Sequence, residues 1–219
     1  MRLVIFDVDG TLVDSQADIV ASMADAFAAV GRKAPSRQDI LSIIGLSLPA
    51  AMRRLAPEAD HDTMVARYKE SYAALRMTKG AASSPLYPGA RAALDRLTAQ
   101  ADILLGVATG KSKRGLDSLI AAHGLEGVFV TRQVADFHPS KPHPSMLHAA
   151  MNDAGVDAKD AVMIGDTSFD ADMARAAGIA FVGVSWGYHP VAHLTGAHSV
   201  LDDFSELDAA LSALWDGQI

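Results

Sequence analysis

The sequence predicts a doubly wound α/β fold with a mostly parallel sheet, interrupted by an all-helical insertion. Two observations support this prediction. Short apolar runs alternate with helical patterns along most of the chain, whereas residues 15 to about 80 contain helical patterns only. Such alternation is typical of a Rossmann-like sheet covered by helices on both faces. We therefore predict a core formed by residues 1–14 and 82–219 and a small helical domain at residues 15–81.

Five short apolar runs predict the strands of the sheet. The first covers residues 3–6 and ends at the turn signal Asp9-Gly10, as expected for a strand buried on both faces. The other strands are predicted at 103–108, 128–131, 161–164 and 180–184, and helices at 89–101, 112–123, 144–154 and 168–177. This alternation predicts crossover connections between parallel strands.

The insertion begins with apolar residues at helical spacing, followed by the stop signal Gly31. Ser36 and Asp39 form a capping-box pattern that opens a second helix, which ends at Gly45. Residues 48–55 are compatible with a third helix. A longer amphipathic helix is predicted at 61–77, and a Gly-, Ser- and Pro-containing return linker at 80–85. The first helix is indicated by Ile19, Val20, Met23, Phe27 and Val30.

Composition restricts the class of function. The 219 residues are 50% hydrophobic and 21% charged, which is a globular composition. The net charge of -7 and the lack of a basic stretch beyond the short run at residues 111–114 argue against nucleic acid as a macromolecular partner. The absence of cysteine excludes disulfides, thiol catalysis and cysteine-ligated metals. No signal-peptide pattern or apolar run of about 18 residues is present, so we expect a cytoplasmic protein without a membrane partner.

Two aspartates follow the first predicted strand at a spacing of two residues. Strand side chains at this spacing share a face, so the carboxylates of Asp7 and Asp9 are expected to leave the strand end together. Adjacent carboxylates repel, which favours a bound cation or a shared proton. Ligands of open α/β sheets bind beyond the carboxyl ends of the strands, which predicts a site here. The alternative is a solvated Asp-x-Asp-Gly turn.

Two further segments suit an anionic ligand. Thr109-Gly110 follows a predicted strand, where a hydroxyl and a glycine amide at a helix N-terminus fit a phosphate oxygen. An ordinary helix cap at Thr109 is the alternative. Lys141 lies in a loop whose three prolines restrict its direction, although a loop lysine is commonly solvated. An acidic protein that binds an anion needs such local positive charge, from lysines or a metal ion.

A third segment places carboxylates after another strand. Asp166 follows the predicted strand at 161–164, and Asp170 comes four residues later. Thr167 and Asp170 form a capping-box pattern, so Asp170 serves either as a helix cap or as support for a metal site. Both interpretations remain open from the sequence.

Four segments together resemble the haloacid dehalogenase superfamily, in particular its phosphoglycolate-phosphatase-like hydrolases with a small helical cap. They are DVDGTLVDS, VATGKS, KPHP and GDTSFDADMARAAG, and they occur in the family's order. The resemblance covers nearly the whole chain and is less specific in the insertion, which would be the cap. It implies a phosphatase that acts on a small phosphorylated metabolite as a monomer or homodimer.

The resemblance also implies roles for individual residues. Asp7 would be the nucleophile that forms an aspartyl-phosphate, and Asp9 the general acid and then the base. The side chains of Asp7 and Asp166 and the backbone carbonyl of Asp9 would bind Mg²⁺, supported by Asp170. Oxygen ligands without histidine or cysteine suit this ion. The substrate phosphate would be held by Gly10, Thr11, Thr109, Gly110 and Lys141.

The alternative functions agree with the residues of this sequence to different degrees. The dehalogenating branch lacks the second aspartate of the first motif, so the presence of Asp9 disfavours it. Phosphomutases of this subgroup usually carry a cap histidine shortly after the first motif, and residues 14–20 contain none. A pyrophosphatase of the same superfamily and a non-catalytic binding module remain as alternatives. Family alone does not identify the substrate.

Several other residues are expected to have ordinary structural roles. Lys111, Lys113 and Arg114 are predicted to form a solvated helix start, with Lys111 the one that could neighbour substrate. The eight histidines show no zinc-binding spacing. In the insertion, residues 45–47 and the Arg53-Arg54 pair could reach substrate, but a helix turn and exposed arginines are an equal alternative.

Overall fold

The computed structural model describes residues 1–216. Its centre is a six-stranded sheet with all strands parallel, in the order β3-β2-β1-β4-β5-β6. The strands are β1 (Arg2–Phe6), β2 (Ile103–Thr109), β3 (Thr131–Val134), β4 (Ala161–Gly165), β5 (Ala180–Val184) and β6 (Ser199–Leu201). The prediction of a doubly wound α/β fold is therefore confirmed.

Helices cover both faces of the sheet because strand side chains alternate between the faces. On β1, Val4 and Phe6 pack into one apolar cluster, and Leu3 and Ile5 into the other. The first cluster includes α5 (Ala90–Thr98), α6 (Lys113–His123) and α9 (Leu207–Asp216), and the second α7 (Ser145–Ala154) and α8 (Ser168–Ala177). β1 is thus buried on both faces, as its continuous apolar run predicts.

The segment between β1 and α5 forms four helices with an apolar cluster of their own. None of the six strands of the sheet comes from this segment. Its helices are α1 (Gln16–Ala29), α2 (Arg37–Leu41), α3 (Leu48–Leu55) and α4 (His61–Lys79), and a short turn of 3₁₀ helix follows at Gly80–Ser83. Ser36 and Asp39 form the predicted capping box of α2.

The structure differs from the predicted elements in one strand position and in two elements that were not predicted. The strand predicted at 128–131 is β3, which begins at Thr131. This edge strand exposes Arg132, so its pattern is not a continuous apolar run. The edge strand β6 and helix α9 were not predicted, although α9 buries Leu207, Leu211 and Leu214 at helical spacing. Among the described residues, no helix combines the length and hydropathy needed to cross a bilayer.

Candidate active site

The site lies where the strand order reverses around β1. Asp7 directly follows β1, and Asp166 directly follows β4, which pairs with β1 through Phe6 and Ile164. Crevices at such reversal points bind the ligands of open α/β sheets. Asp7, Asp166 and Asp170 each bring one carboxylate oxygen into a cluster in which these atoms lie within 4.8 Å of one another. All three residues are buried.

Lys141 supplies a positive charge to this cluster. Its ammonium lies 2.8 Å from Asp7 Oδ1 and 2.7 Å from Asp170 Oδ1, and the residue is 2% exposed. Burial alone would lower the pKa of Lys141, but Asp170 and Asp7 outweigh it and hold the pKa above its ordinary value. Lys141 is therefore a buried, charged group, and the solvated-loop alternative is wrong.

The cluster brings three carboxyl groups together beside one ammonium group. Burial raises the pKa of Asp7 to about 7, although Lys141 opposes this shift. Burial and the carboxylates of Asp7 and Asp170 also raise the pKa of Asp166 well above its ordinary value. Asp7 Oδ2 is buried with no hydrogen-bond partner among the described residues. Buried polar atoms are normally paired, so an unpaired oxygen beside two further carboxylates fits a hard divalent cation.

Asp166 is held in place by its neighbours. Thr11 Oγ1 donates to Asp166 Oδ1 at 2.9 Å, and the amide of Tyr188 donates to Oδ2 at 2.8 Å. Gly10 has φ +85°, and a Cβ atom at this position would overlap the Asp166 carboxylate. Both Gly10 and Thr11 therefore contact Asp166, and their predicted role in substrate binding stays a prediction.

Asp170 forms the predicted helix cap and also contacts Lys141, while its predicted support of a metal site stays a prediction. Its Oδ2 accepts hydrogen bonds from the amide and hydroxyl of Thr167, which completes the capping box of α8. Its Oδ1 meanwhile contacts the ammonium of Lys141. The helix cap therefore fixes the carboxylate that orients Lys141.

Asp9 lies outside the three-carboxylate cluster and has its own partners. Its carboxylate accepts a hydrogen bond from Ser15 Oγ, and Oδ1 lies 2.8 Å from the ammonium of Lys111. Lys111 also donates to the hydroxyl of Tyr72 on α4 at 3.2 Å. Burial would lower the pKa of Lys111, but Asp9 and Tyr72 raise it above the ordinary value.

The expectation of a solvated Lys111 was therefore wrong. Its side chain is 8% exposed, because Tyr72 covers it from the helical insertion. Lys113 and Arg114 are exposed, as expected. The ring of His138 contacts Ser145 and Gln133, which is an ordinary structural role.

Thr109 and Gly110 lie at the end of β2, beside the end of β1. The cap of α6 is Ser112, whose hydroxyl accepts from the amide of Gly115 at 3.2 Å. Helix capping therefore does not explain the buried Thr109, whose Oγ1 accepts from the Lys111 amide. A Cβ atom on Gly110 would lie 2.6 Å from the carbonyl oxygen of Leu46, so the insertion approaches the core closely here.

Residues 45–47 of the insertion contact the core. Of the Arg53-Arg54 pair, Arg54 lies near a core residue, Phe169. The amide of Ser47 donates to Ser140 Oγ at 2.8 Å. Both arginines are exposed, and the guanidinium carbon of Arg54 lies 5.7 Å from the ring centroid of Phe169.

Tyr188 and Ser15 contact predicted site residues but were not themselves predicted. The hydroxyl of Tyr188 accepts from the Ser15 amide at 2.9 Å, while its own amide holds Asp166. A signal was available, because Trp186-Gly187-Tyr188 follows β5 at the same edge of the sheet as the other site residues. Ser15 lacked a comparable signal.

Known proteins resemble this chain in sequence and in fold. Residues 4–184 match the family model described as "Haloacid dehalogenase-like hydrolase". The Dickeya dadantii protein named "Probable phosphatase IndB" is 36% identical, covering 97% of this chain and 94% of that protein. A phosphoglycolate phosphatase of Agrobacterium fabrum is 34% identical over 95% of this chain and 91% of its own length. The crystal structure of a hydrolase from Pseudomonas syringae shares the fold, with a TM-score of 0.85, 24% identity and coverage of 97% and 99%.

Proposed function

Because this chain belongs to the haloacid dehalogenase-like hydrolase family, we propose that it is a magnesium-dependent phosphatase that hydrolyses a phosphate monoester through Asp7. The similarity to phosphoglycolate phosphatases supports phosphatase activity. The observation that carries the mechanism is the buried Asp7, with one oxygen beside Lys141 and the other without a partner among the described residues.

The donor set suits magnesium. The side chains of Asp7 and Asp166 and the backbone carbonyl of Asp9 would hold the ion, and Asp170 would support the site. Oxygen donors match this hard cation, and no histidine takes part in the carboxylate cluster of residues 1–216. When bound, magnesium supplies positive charge that offsets the repulsion between the Asp7 carboxylate and an anionic phosphate.

The proposed reaction uses two displacements at phosphorus. A carboxylate oxygen of Asp7 attacks, the bond from phosphorus to the ester oxygen breaks, and Asp9 gives its proton to the departing alcohol oxygen. Asp9 then takes a proton from water, the water oxygen attacks the aspartyl-phosphate, and Asp7 is released with inorganic phosphate. Covalent catalysis of this kind replaces one difficult step with two easier ones.

Lys141 and Thr109 are proposed to hold the phosphoryl oxygens during both steps. Lys141 is fixed by two carboxylates, so its ammonium is oriented before substrate binds. Such preorganised charge stabilises developing negative charge without a reorganisation cost.

The helical insertion, residues 15–81, is proposed to act as a cap domain. It has its own apolar cluster and reaches the core through Ser47 and Tyr72. A cap in this position would exclude water while the phosphoryl group is transferred.

The direct test is substitution of the nucleophile. Asp7→Asn keeps the side-chain shape but removes the attacking carboxylate, so turnover of p-nitrophenyl phosphate should fall by about three orders of magnitude or more. Asp95→Asn, on the exposed face of α5, is the matched control and should leave turnover unchanged. A tenth of the original rate remaining in Asp7→Asn would rule out the mechanism.

A further inference from the structure

A cavity of about 870 Å³ extends from Asp7 and Asp9 between the insertion and the core. Its walls include the apolar residues Met23, Ile44 and Leu48. Cavities of about 300–1,000 Å³ bind drug-sized ligands. The volume beside the proposed nucleophile is therefore much larger than a two-carbon acid would fill.

The insertion is already seated on the core around this cavity. The amide of Ser47 donates to Ser140, and the carbonyl of Leu46 approaches Gly110 so closely that no side chain fits between them. Tyr72 of α4 also contacts Lys111 at the cavity. The cavity therefore lies where these segments of the insertion already contact the core.

One wall of the cavity is aromatic. Tyr68 and Tyr72 lie one turn apart on α4, and their rings stack with centroids 5.8 Å apart. Aromatic and aliphatic walls favour the flat faces of a ring over a small, fully hydrated acid.

Arg76 follows Tyr72 by one further turn of α4 and also lines the cavity. Its Nη1 atom is buried and has no hydrogen-bond partner among the described residues. Lys111, in contrast, is paired with Asp9. The position of Arg76 in the last turn of α4 is favourable for the helix dipole, but that interaction does not require a buried guanidinium nitrogen. A buried donor of this kind needs an acceptor, and an anion is the strongest one.

We infer that the alcohol released by this enzyme is at least ring-sized and carries an anionic group that binds Arg76. This inference rests on the proposed phosphatase function and specifies its substrate class. The scissile phosphate would lie at Asp7, the ring along Tyr68 and Tyr72, and the second anion one turn farther along α4.

Three primary alkyl phosphates separate ring size from charge. They are 2-phosphoglycolate, which has a carboxylate without a ring, benzyl phosphate, which has a ring without a carboxylate, and 4-carboxybenzyl phosphate, which has both. We expect the highest kcat/KM for 4-carboxybenzyl phosphate, about tenfold to hundredfold above benzyl phosphate, because a hydrogen bond to a charged group contributes that much. We expect the lowest value for 2-phosphoglycolate.

Arg76→Gln should remove the advantage of 4-carboxybenzyl over benzyl phosphate, so that the ratio of their kcat/KM values falls to about one. The control is Arg67→Gln, on the same helix, where the arginine is half exposed and pairs with Glu70. This control should preserve the order of the three esters. Melting temperatures of both variants show whether the fold is retained.

The outcomes separate the two proposals. Fast turnover of 2-phosphoglycolate relative to both ring esters would overturn the inference and leave the phosphatase function intact. An equal loss of kcat/KM for all three esters in Arg76→Gln would also overturn the inference, because Arg76 would then not bind the anionic group of the leaving alcohol. No turnover of any ester with magnesium present would overturn the proposed function and the inference with it.

Discussion

Asp7 and Asp9 are two residues apart, yet they have different surroundings. Asp7 lies in the buried carboxylate cluster beside Lys141, whereas Asp9 contacts Ser15 and Lys111 at the cavity. In the proposed mechanism, Asp7 is the nucleophile and a metal ligand, and Asp9 protonates the leaving group. Different environments allow two carboxylates to take different chemical roles.

The importance of Asp9 should depend on the leaving group. An alkoxide needs protonation as the ester bond breaks, whereas p-nitrophenolate hardly does, and general acid catalysis contributes about 10²–10⁴-fold when it is needed. Asp9→Asn should therefore slow the first phosphoryl transfer strongly with an alkyl phosphate and mildly with p-nitrophenyl phosphate. Rapid-quench measurement of the first step checks this, because the base role of Asp9 in the second step would obscure steady-state rates. Equal losses with both esters would exclude the acid role.

Magnesium affinity should fall as the pH is lowered below about 7. Burial raises the pKa of Asp7 to about 7, and a metal binds only the deprotonated carboxylate, so protons compete with the ion at lower pH. We expect at least about a tenfold loss of affinity per pH unit below the pKa, measured by isothermal titration calorimetry. In Asp7→Asn this dependence should be weaker. Affinity that stays constant from about pH 5 to 8 would contradict the assignment of Asp7 as a ligand.

The proximity of Asp7, Asp166 and Lys141 could be predicted because strand ends and a short motif fix their positions. The pairing of Lys111 with Asp9 and Tyr72 could not. Tyr72 lies 39 residues away in the insertion, and the contact depends on how that segment is seated on the core. Periodicity within a segment carries no information about its docking.

At the scale of single elements, the N-terminus of α8 connects helix stability to the site. Thr167 caps the helix and binds Asp170, which in turn contacts Lys141. The same short element therefore carries a structural and an orienting function.

Two substitutions at this helix end should have different effects. Thr167→Ala removes the cap and should lower the free energy of unfolding by about 1 kcal/mol, measured by urea denaturation. Asp170→Asn removes the charge opposite Lys141 and should lower turnover by about tenfold to hundredfold, as for other residues that orient a ligand group. Ser112→Ala, at the cap of α6, provides a comparison for the cost of a cap alone. Equal losses of turnover in Thr167→Ala and Asp170→Asn would show that only the cap matters.

Central elements were easier to predict than edge elements. β1, β4 and β5 are continuous apolar runs because both of their faces are buried. The edge strands β3 and β6 have one free side, are shorter and contain polar residues, so they lack that signal. α9, in contrast, carried a helical pattern that could have been recognised.

At the scale of the whole molecule, the insertion approaches the core closely at Gly110. Gly110→Ala would place a methyl group 2.6 Å from the Leu46 carbonyl oxygen and should push residues 45–47 away from the core. Misplacement by about 1 Å can cost about 10²-fold in rate, so kcat/KM should fall strongly. The melting temperature should change little, because the two apolar clusters of the sheet are not involved. An unchanged kcat/KM would mean that the seating of the insertion does not matter for catalysis.

The central position of β1 also has a consequence for biosynthesis. Of the six strands of the sheet, β1 is synthesised before the others, but Leu3 pairs with Leu104 on one side and Ala161 on the other. A nascent chain therefore carries an apolar strand with open edges until β4 has emerged, and such unpaired edges favour aggregation. Pairing across such sequence separations is also slow. A truncated product that ends before residue 161 would leave β1 exposed. It would also lack the proposed metal site, because Asp166 follows β4. Efficient production of the enzyme therefore requires that translation through β4 is faster than the association of unfinished chains.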